Sequence, residues 1–534
     1  MEPPGHARHS HSRRDSRPHT PRAFRICDGL TEAVLYFMVV FSPWALGTTD
    51  RWAIWTMNIA GYVLGVLLLS KWLICRRTGH RPARWGADRE REERKTEGGT
   101  GDAGNAEDRD EERAAGSATA TRRAASGFFT TALAVFTAVI LGWCLVSAIN
   151  ARSTFFFRQM AFVPRDYIAW LPHSYDSWAT WQAFWMYLGL ALTFWAARDW
   201  LPGRTAQERR EARETGATGG DFVLPTRLRR LLWVLCLNGA LLALEGILQR
   251  LSGTGKLLWL WQPRINRTAE VQFGPYAYRS NAAQYLNLLW PVCLGFWWAL
   301  RRDRRNSAQA GARVGGGPHV LLLPCAVLMA AAPIISTSRG GAIVAAGGMF
   351  AAFVPLMLAQ RKGHWLARLG ITFLFAAALG IAGYLGWEKL APRLKTIFSD
   401  ELSGRVELYR NAAQMARDFP VLGTGPGTFP WLYQLYRAGP AQVWEAYAHN
   451  DWLETRITFG GVGFAIILAA LLTVLARWFG GGGITAHWLL VSFIWLALAG
   501  CLVHARFDFP FQIYSVLSLF LLLCAILFCL SRKP

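Results

Sequence analysis

The chain has 534 residues, of which 52% are hydrophobic and 17% charged, with 26 Trp and 31 Phe. A soluble globular chain carries about 25% charge, and here runs of Leu, Ala, Val, Phe and Trp recur from Leu30 to Leu530. That excludes a disordered protein, a collagen-like chain and an ordinary cytosolic enzyme. The net charge of +22 gathers in tails and loops between apolar runs, the pattern of membrane topology rather than of nucleic-acid binding.

A helix crosses the hydrocarbon core with about 20 apolar residues, because its backbone polar groups must be satisfied within the segment. On that basis the sequence predicts about twelve spans, at 30–48, 52–74, 127–149, 178–197, 230–250, 282–300, 319–337, 341–360, 368–387, 456–478, 487–505 and 512–530. The fold class expected is an all-α polytopic membrane protein. Residues 1–27 read as a basic tail rather than a signal peptide, being long, polar and rich in Arg and His. Counting alternately from that tail, every clear basic cluster falls on one side: Arg76/Arg77, Arg209/Arg210, Arg227/Arg229/Arg230, Arg301/Arg302/Arg304/Arg305, Arg361/Lys362 and Arg532/Lys533. Lys and Arg mark cytoplasmic loops, so both termini are expected in the cytoplasm.

This divides the chain into the tail, a membrane domain at 28–387 with nine spans, an outer loop domain at 388–455 and a final membrane part at 456–534. Within the first membrane domain, 75–126 and 198–229 are expected to be disordered cytoplasmic loops, being charge-rich without apolar periodicity. Asp108-Arg109-Asp110 has the form of a metal motif, but a charge-rich loop produces it by chance. Gly253-Thr254-Gly255-Lys256 lacks the leading Gly of a phosphate loop, Arg250 standing in its place. The tail's His6, His9, His11 and His19 read as solvated. The nine Cys show no metal-ligand spacing and read as small core residues. No cofactor is expected.

Three outer-side clusters carry chemistry. Phe273-Gly274-Pro275-Tyr276-Ala277-Tyr278-Arg279-Ser280-Asn281 sits at the mouth of one span. Ser336-Thr337-Ser338-Arg339-Gly340-Gly341 joins two apolar spans with almost no loop, where an Arg close to hydrocarbon needs a polar cavity and a partner. The region 388–455 predicts an amphipathic helix at 403–419 with a stripe of Leu402, Val406, Tyr409, Ala413 and Ala416. Pro420 ends that helix. A Gly/Pro-rich loop through Gly423 and Gly425, a short helix at 429–437 and His449-Asn450-Asp451-Trp452 follow.

Ser338-Arg339-Gly340-Gly341, then Gly404-Arg405 with Pro420-Val421-Leu422-Gly423-Thr424-Gly425, then His449-Asn450-Asp451-Trp452-Leu453, and finally Asp508-Phe509-Pro510-Phe511-Gln512-Ile513 resemble the signature blocks of the O-antigen ligase/O-antigen polymerase superfamily. The resemblance covers about 270–530. It implies a bacterial inner-membrane glycosyltransferase of the GT-C type with a large periplasmic loop. Such an enzyme moves a glycan from undecaprenyl diphosphate to lipid A–core, a growing chain or a protein hydroxyl, with inversion. Arg506 departs from the family pattern and leaves the roles of His504 and Asp508 open, a local ion pair being the simpler account.

A diphosphate leaving group gathers negative charge, which fixed guanidiniums stabilise through bidentate hydrogen bonds without metal or ATP. Arg339 and Arg405, the two Arg within the family-like blocks, are the candidates. An imidazole accepts the acceptor's proton near neutral pH, which points to His449. Asn450 and Asp451 beside it are candidates for substrate binding, as are Arg279 and Asn281 at the donor entry. Gly423 and Gly425 would offer backbone N–H groups to phosphate, or simply make a turn. The rival function class is a transporter or flippase of lipid-linked glycans, against which no convincing internal repeat appears. A scaffold of a synthesis complex would leave Arg339 and Arg405 dispensable.

Overall fold

A computed structural model describes residues 20–85, 106–214, 224–309, 317–359, 365–395, 401–437, 444–480 and 487–530. Its α-helices are α1 (Arg22–Trp44), α2 (Arg51–Thr78), α3 (Ala106–Ile149), α4 (Ser177–Trp200), α5 (Ala206–Glu214), α6 (Thr226–Ser252), α7 (Arg279–Gln309), α8 (Leu322–Ile335), α9 (Arg339–Leu358), α10 (Trp365–Lys395), α11 (Glu401–Asp418), α12 (Phe429–Leu432), α13 (Asp451–Gly480), α14 (Trp488–His504) and α15 (Tyr514–Leu530). Each apolar interval marked in the sequence is helical over most of its described length. Six stretches are long and apolar enough to cross a membrane: α2, Gly127–Ile149, α6, Pro318–Ile335, α9 and Asp451–Arg477. Arg368–Tyr384, α14 and α15 are shorter apolar helices. The chain is an all-α membrane protein to this extent.

The main core is a single apolar cluster running from α1 to α15, with Trp200, Tyr276, Tyr285 and Phe296 fully buried. Close approach of backbones depends on small residues. A Cβ on Gly61 of α2 would lie 2.5 Å from the Gly189 carbonyl of α4, so these helices meet backbone to backbone, as small-residue interfaces allow in membranes.

A second, smaller core forms beyond one end of the bundle, from Leu408, Ala412 and Met415 of α11 with Phe429, Leu432, Tyr433, Ala448 and Ile457. The expected helix is present, but its buried face is turned by about a residue from the expected stripe. Val406 is 44% exposed, and Leu408, Ala412 and Met415 take the inner face instead. One element was absent from the sequence reading: a hairpin of β1 (Ser153–Phe156) and β2 (Ala161–Pro164), paired antiparallel. Phe155 stacks on Trp431 at 4.9 Å, which fixes the hairpin to α12.

At the opposite end, parts of 75–126 and 198–229, where disorder was expected, carry regular structure, while 86–105 and 215–223 lie outside the described residues. Residues 75–85 and 198–214 are ordered, α6 begins within the second range, and α3 is helical from Ala106. The cause is a long-range ionic network that composition does not reveal. Lys71 pairs with Asp199 at 2.9 Å and Asp28 at 3.6 Å, Arg84 reaches Asp199 at 2.6 Å, and Arg227 grips Asp28. Arg84 also bridges Gly203 by backbone pairing. The tail histidines and Arg361/Lys362 lie outside the described residues, as do the side chains of Asp108-Arg109-Asp110.

The smaller assembly is fastened to the bundle where the segment Pro420–Gly425 crosses α13. Gly460 there has φ 67° and ψ −173°, a conformation open essentially to Gly alone. A Cβ on it would lie 2.1 Å from the Val421 carbonyl. Gly460→Ala is therefore expected to destabilise the protein by about 3 kcal/mol or more. Gly347→Ala, with nothing within 4 Å of its Cβ, should leave stability unchanged. Thermal unfolding of the detergent-purified variants checks this, and equal midpoints for both would refute the crossing.

Candidate active site

Asp508 lies in the corner between α14 and α15 and is 4% exposed. Its Oδ1 accepts from His449 Nδ1 at 3.3 Å. Its Oδ2 accepts from the Ser280 hydroxyl at the start of α7 and stands 3.7 Å from His504 Nε2 at the end of α14. Ser280 Oγ in turn lies 3.1 Å from Ser338 Oγ. Three helix ends thus converge on one carboxylate, with Ser338 behind Ser280. Burial pushes this carboxyl up, but the His449 hydrogen bond, the fields of both imidazoles and the Ser280 hydroxyl outweigh it, and Asp508 is held below the ordinary carboxylate range.

His449 is fixed from several directions. Its backbone is in the left-handed region, φ 49°, uncommon for a residue with a side chain. The Tyr409 hydroxyl of α11 donates to its carbonyl at 2.8 Å, and its ring meets Phe509 edge-on at 4.8 Å. With Nδ1 committed to Asp508, Nε2 is the nitrogen on the far side of the ring. Burial raises the Tyr409 hydroxyl's pKa, partly offset by nearby Arg405.

The next residues hold this arrangement in place. Asn450 caps α13 by accepting from the Leu453 N–H at 3.2 Å. Asp451 accepts from the Phe511 N–H at 2.7 Å and the Gln512 amide at 3.2 Å, while its own N–H donates to the Ala505 carbonyl. Asp451 thus ties the segment bearing His449 to residues 505–512, while Asn450 caps the helix that follows. Both are buried.

Arg339 is the first residue of α9, whose cap is Ser338 accepting from the Gly341 N–H at 3.1 Å. The two glycines after it serve packing. A Cβ on Gly340 would meet Phe507 at 2.6 Å and His504 at 2.9 Å, and one on Gly341 would meet Ala283 at 2.5 Å. The start of α9 is therefore pressed against the Asp508 corner, and a helix N-terminus adds positive potential to that of the guanidinium. Thr337, at φ 59°, makes the preceding turn. Arg250, which the sequence reading noted only as breaking a phosphate loop, donates to Thr337 Oγ1 at 2.9 Å and to the Ala269 carbonyl at 2.7 Å.

Arg405 reaches the same corner from α11, donating to the Phe507 carbonyl at 3.1 Å. Arg339, Arg405 and His449 are thus brought to one end of the bundle around residues 504–508. Arg279 neighbours Ser280 and donates to the Glu270 carbonyl. Asn281 is buried, and its Oδ1 has no hydrogen-bond partner among the described residues.

Gly423 and Gly425 are not brought to this corner. Gly425 donates its N–H to the Thr458 carbonyl at 2.9 Å, and the intervening Thr424 to that of Ile457 at 2.9 Å. A Cβ on Gly423 would strike α13, and one on Gly425 would strike Ser174. These glycines serve the crossing of α13, in keeping with the turn that the sequence offered as the alternative to a phosphate cradle.

The sequence reading left Asp508 in a local ion pair with His504 and Arg506. The His504–Asp508 contact of that group is present at 3.7 Å, whereas Arg506 is exposed, and the carboxylate's hydrogen bonds go further, to His449 and Ser280. The Asp508-Phe509-Pro510-Phe511-Gln512-Ile513 run was the available signal. Ser280 and Tyr409 carried none beyond proximity to a motif and helical periodicity.

A carboxylate aligned behind an imidazole, with two guanidiniums nearby, can hold a proton acceptor in one tautomer and receive an anion. A family model described as O-antigen ligase matches residues 324–468, a stretch that includes Arg339, Arg405 and His449. The match makes that stretch similar to the O-antigen ligase family. No curated protein matches it.

Because Asp508 is held low in the folded state, its contribution to stability is complete above the ordinary carboxylate pKa of about 3.9 and is lost as pH falls through its depressed folded value. Asp508→Asn should cost about 1–3 kcal/mol at neutral pH, and the gap from the unsubstituted protein should close on acidification. Unfolding midpoints of the two proteins across pH 3–7 test this; a constant gap would contradict the depressed carboxylate.

Proposed function

We propose, on the premise that the chain is a member of the O-antigen ligase superfamily through residues 324–468, that it transfers a glycan from a polyprenyl-diphosphate carrier to an acceptor hydroxyl. The acceptor would be lipid A–core or a growing glycan. The membrane is the bacterial inner membrane, crossed by all twelve apolar intervals in a GT-C-like arrangement. The termini lie in the cytoplasm, and the Asp508 corner with its α11 cap lies on the periplasmic face. The sorting of Lys and Arg to the other end of the bundle supports that orientation.

The observation that carries this reading is the His449–Asp508 pair at the corner where Arg339 and Arg405 arrive. The acceptor oxygen attacks the anomeric carbon while the bond from that carbon to the diphosphate oxygen breaks on the opposite face, inverting the centre. His449 Nε2 takes the hydroxyl proton, and the imidazolium so formed is stabilised by the carboxylate bound to Nδ1. Orientation of a histidine by a carboxylate holds the tautomer that leaves Nε2 free to accept. The electron pair departs with the diphosphate, whose growing charge meets the guanidiniums of Arg339 and Arg405. Their value is greatest in a site shielded from water. Tyr409 and Ser280 position His449 and Asp508 and touch no reacting atom.

His449→Gln should lower transfer by about 10²–10⁴-fold, the usual worth of a general base, while donor binding persists and lipid-linked donor accumulates. Arg339→Lys and Arg405→Lys should each lower it about 10²-fold or more, since an ammonium does not reproduce the bidentate fork. Purified protein with a lipid-linked donor and a glycan acceptor provides the assay. Undiminished joining by the His449 variant, with export alone impaired in cells, would replace this reading by the transporter.

A further inference from the structure

The end of the bundle remote from Asp508 contains a cavity of about 420 Å³, formed by the start of α1, the end of α2, the start of α6 and the segments around Arg84 and Arg204. Its lining has seven Lys or Arg against three acids, Asp28, Glu32 and Asp199. The acids stand in ion pairs with Lys71, Arg84, Arg227 and Arg230, and by formal count the lining is positive. Lys71 is 2% exposed, and its ammonium is held on the cavity wall by two carboxylates rather than extended into water. A cationic hollow of this rigidity suits an anion larger than chloride.

The cavity also has an apolar side. Phe24, Leu68 and Trp72 line it, and Trp72 is 52% exposed with the Arg76 guanidinium 5.1 Å over its ring. Beyond Trp72 the outer face of α2 continues as exposed Val66, Leu69 and Leu73. A headgroup seated among the arginines would therefore leave its chain against an apolar helix face. Basic pockets between membrane helices hold acidic lipid headgroups in this manner.

We infer that this cavity binds a phosphate-bearing anion, the chemistry shared by acidic phospholipid headgroups and small soluble phosphates. The site is separate from the Asp508 corner: on α6 alone, Arg227 belongs to the cavity and Arg250 to the turn before Arg339. These are 23 residues apart, or about 35 Å at 1.5 Å rise per residue. The inference therefore stands or falls independently of the glycan-transfer reading. The apolar wall favours the lipid as the natural source.

The test uses the full chain in mild detergent, with native mass spectrometry for retained lipid and thermal unfolding for bound ion. Phosphatidylglycerol, phosphatidylethanolamine and sodium pyrophosphate are the probes. The comparison is Arg25→Gln/Arg209→Gln, which leaves the Asp28 and Asp199 ion pairs in place; Arg25→Glu, at an exposed position, serves should the double variant aggregate. Retention of phosphatidylglycerol above phosphatidylethanolamine, reduced at least fivefold by the variant, establishes the lipid. Stabilisation by pyrophosphate that the variant abolishes, without lipid retention, establishes a soluble phosphate. Binding of none of them, or binding equal in protein and variant, overturns the inference.

Discussion

A buried carboxylate must be satisfied or neutralised, and one end of this helix bundle is organised around that requirement at Asp508. An ion left without partners in such a place destabilises a protein by several kcal/mol. The partners here come from the starts of α7 and α13 and the end of α14, segments up to 228 residues apart in the sequence. The pairing forms only when the whole bundle is assembled. The close seating of α9 through Gly340 and Gly341 follows from the same demand, as do the strained turns at Thr337 and His449. Both turns flank the site, where strain is expected to collect.

The site is shared between two packed bodies. Ser280, Ser338 and Asp508 belong to the helix ends of the main bundle, whereas Arg405 and Tyr409 belong to α11 and its separate small core. Two hydrogen bonds, Arg405 to the Phe507 carbonyl and Tyr409 to the His449 carbonyl, join them directly. The Gly460 crossing joins them again from the other side of the cap. A shift of α11 would therefore move a guanidinium and the histidine backbone together, so the cap helps set the geometry of the corner.

Much of the helical framework was legible because long apolar runs leave the backbone little alternative. Less was legible wherever a residue's role depends on a distant partner. The helix at 401–418 followed from its periodicity, yet the stripe through Val406 was turned away from the true inner face. Leu408, Ala412 and Met415 are buried because Phe429, Tyr433 and Ile457 fold over them, which no local pattern records. The order near Arg84 and Asp199 was hidden in the same way, since a charged loop and a network anchored by Lys71 have similar composition. His449, Arg339 and Arg405 were named from their motifs. Asp508 stood in a motif too, but its partnership with Ser280 has no local signature.

Both polar ends of the molecule trace to one membrane constraint. Helix α6 spans 27 residues, about 40 Å of helix, against a hydrocarbon core of about 30 Å. Arg227 and Arg250, near its two ends, therefore fall near opposite interfaces, where a charge is least costly. Arg227 meets Asp28 on α1; Arg250 braces the turn that presents Arg339. The exception tests the rule: Glu454 lies a turn inside α13, is 4% exposed, and its carboxylate accepts from the Ala448 N–H at 2.8 Å. That carboxyl fixes the segment bearing His449, so its place inside the helix serves the site.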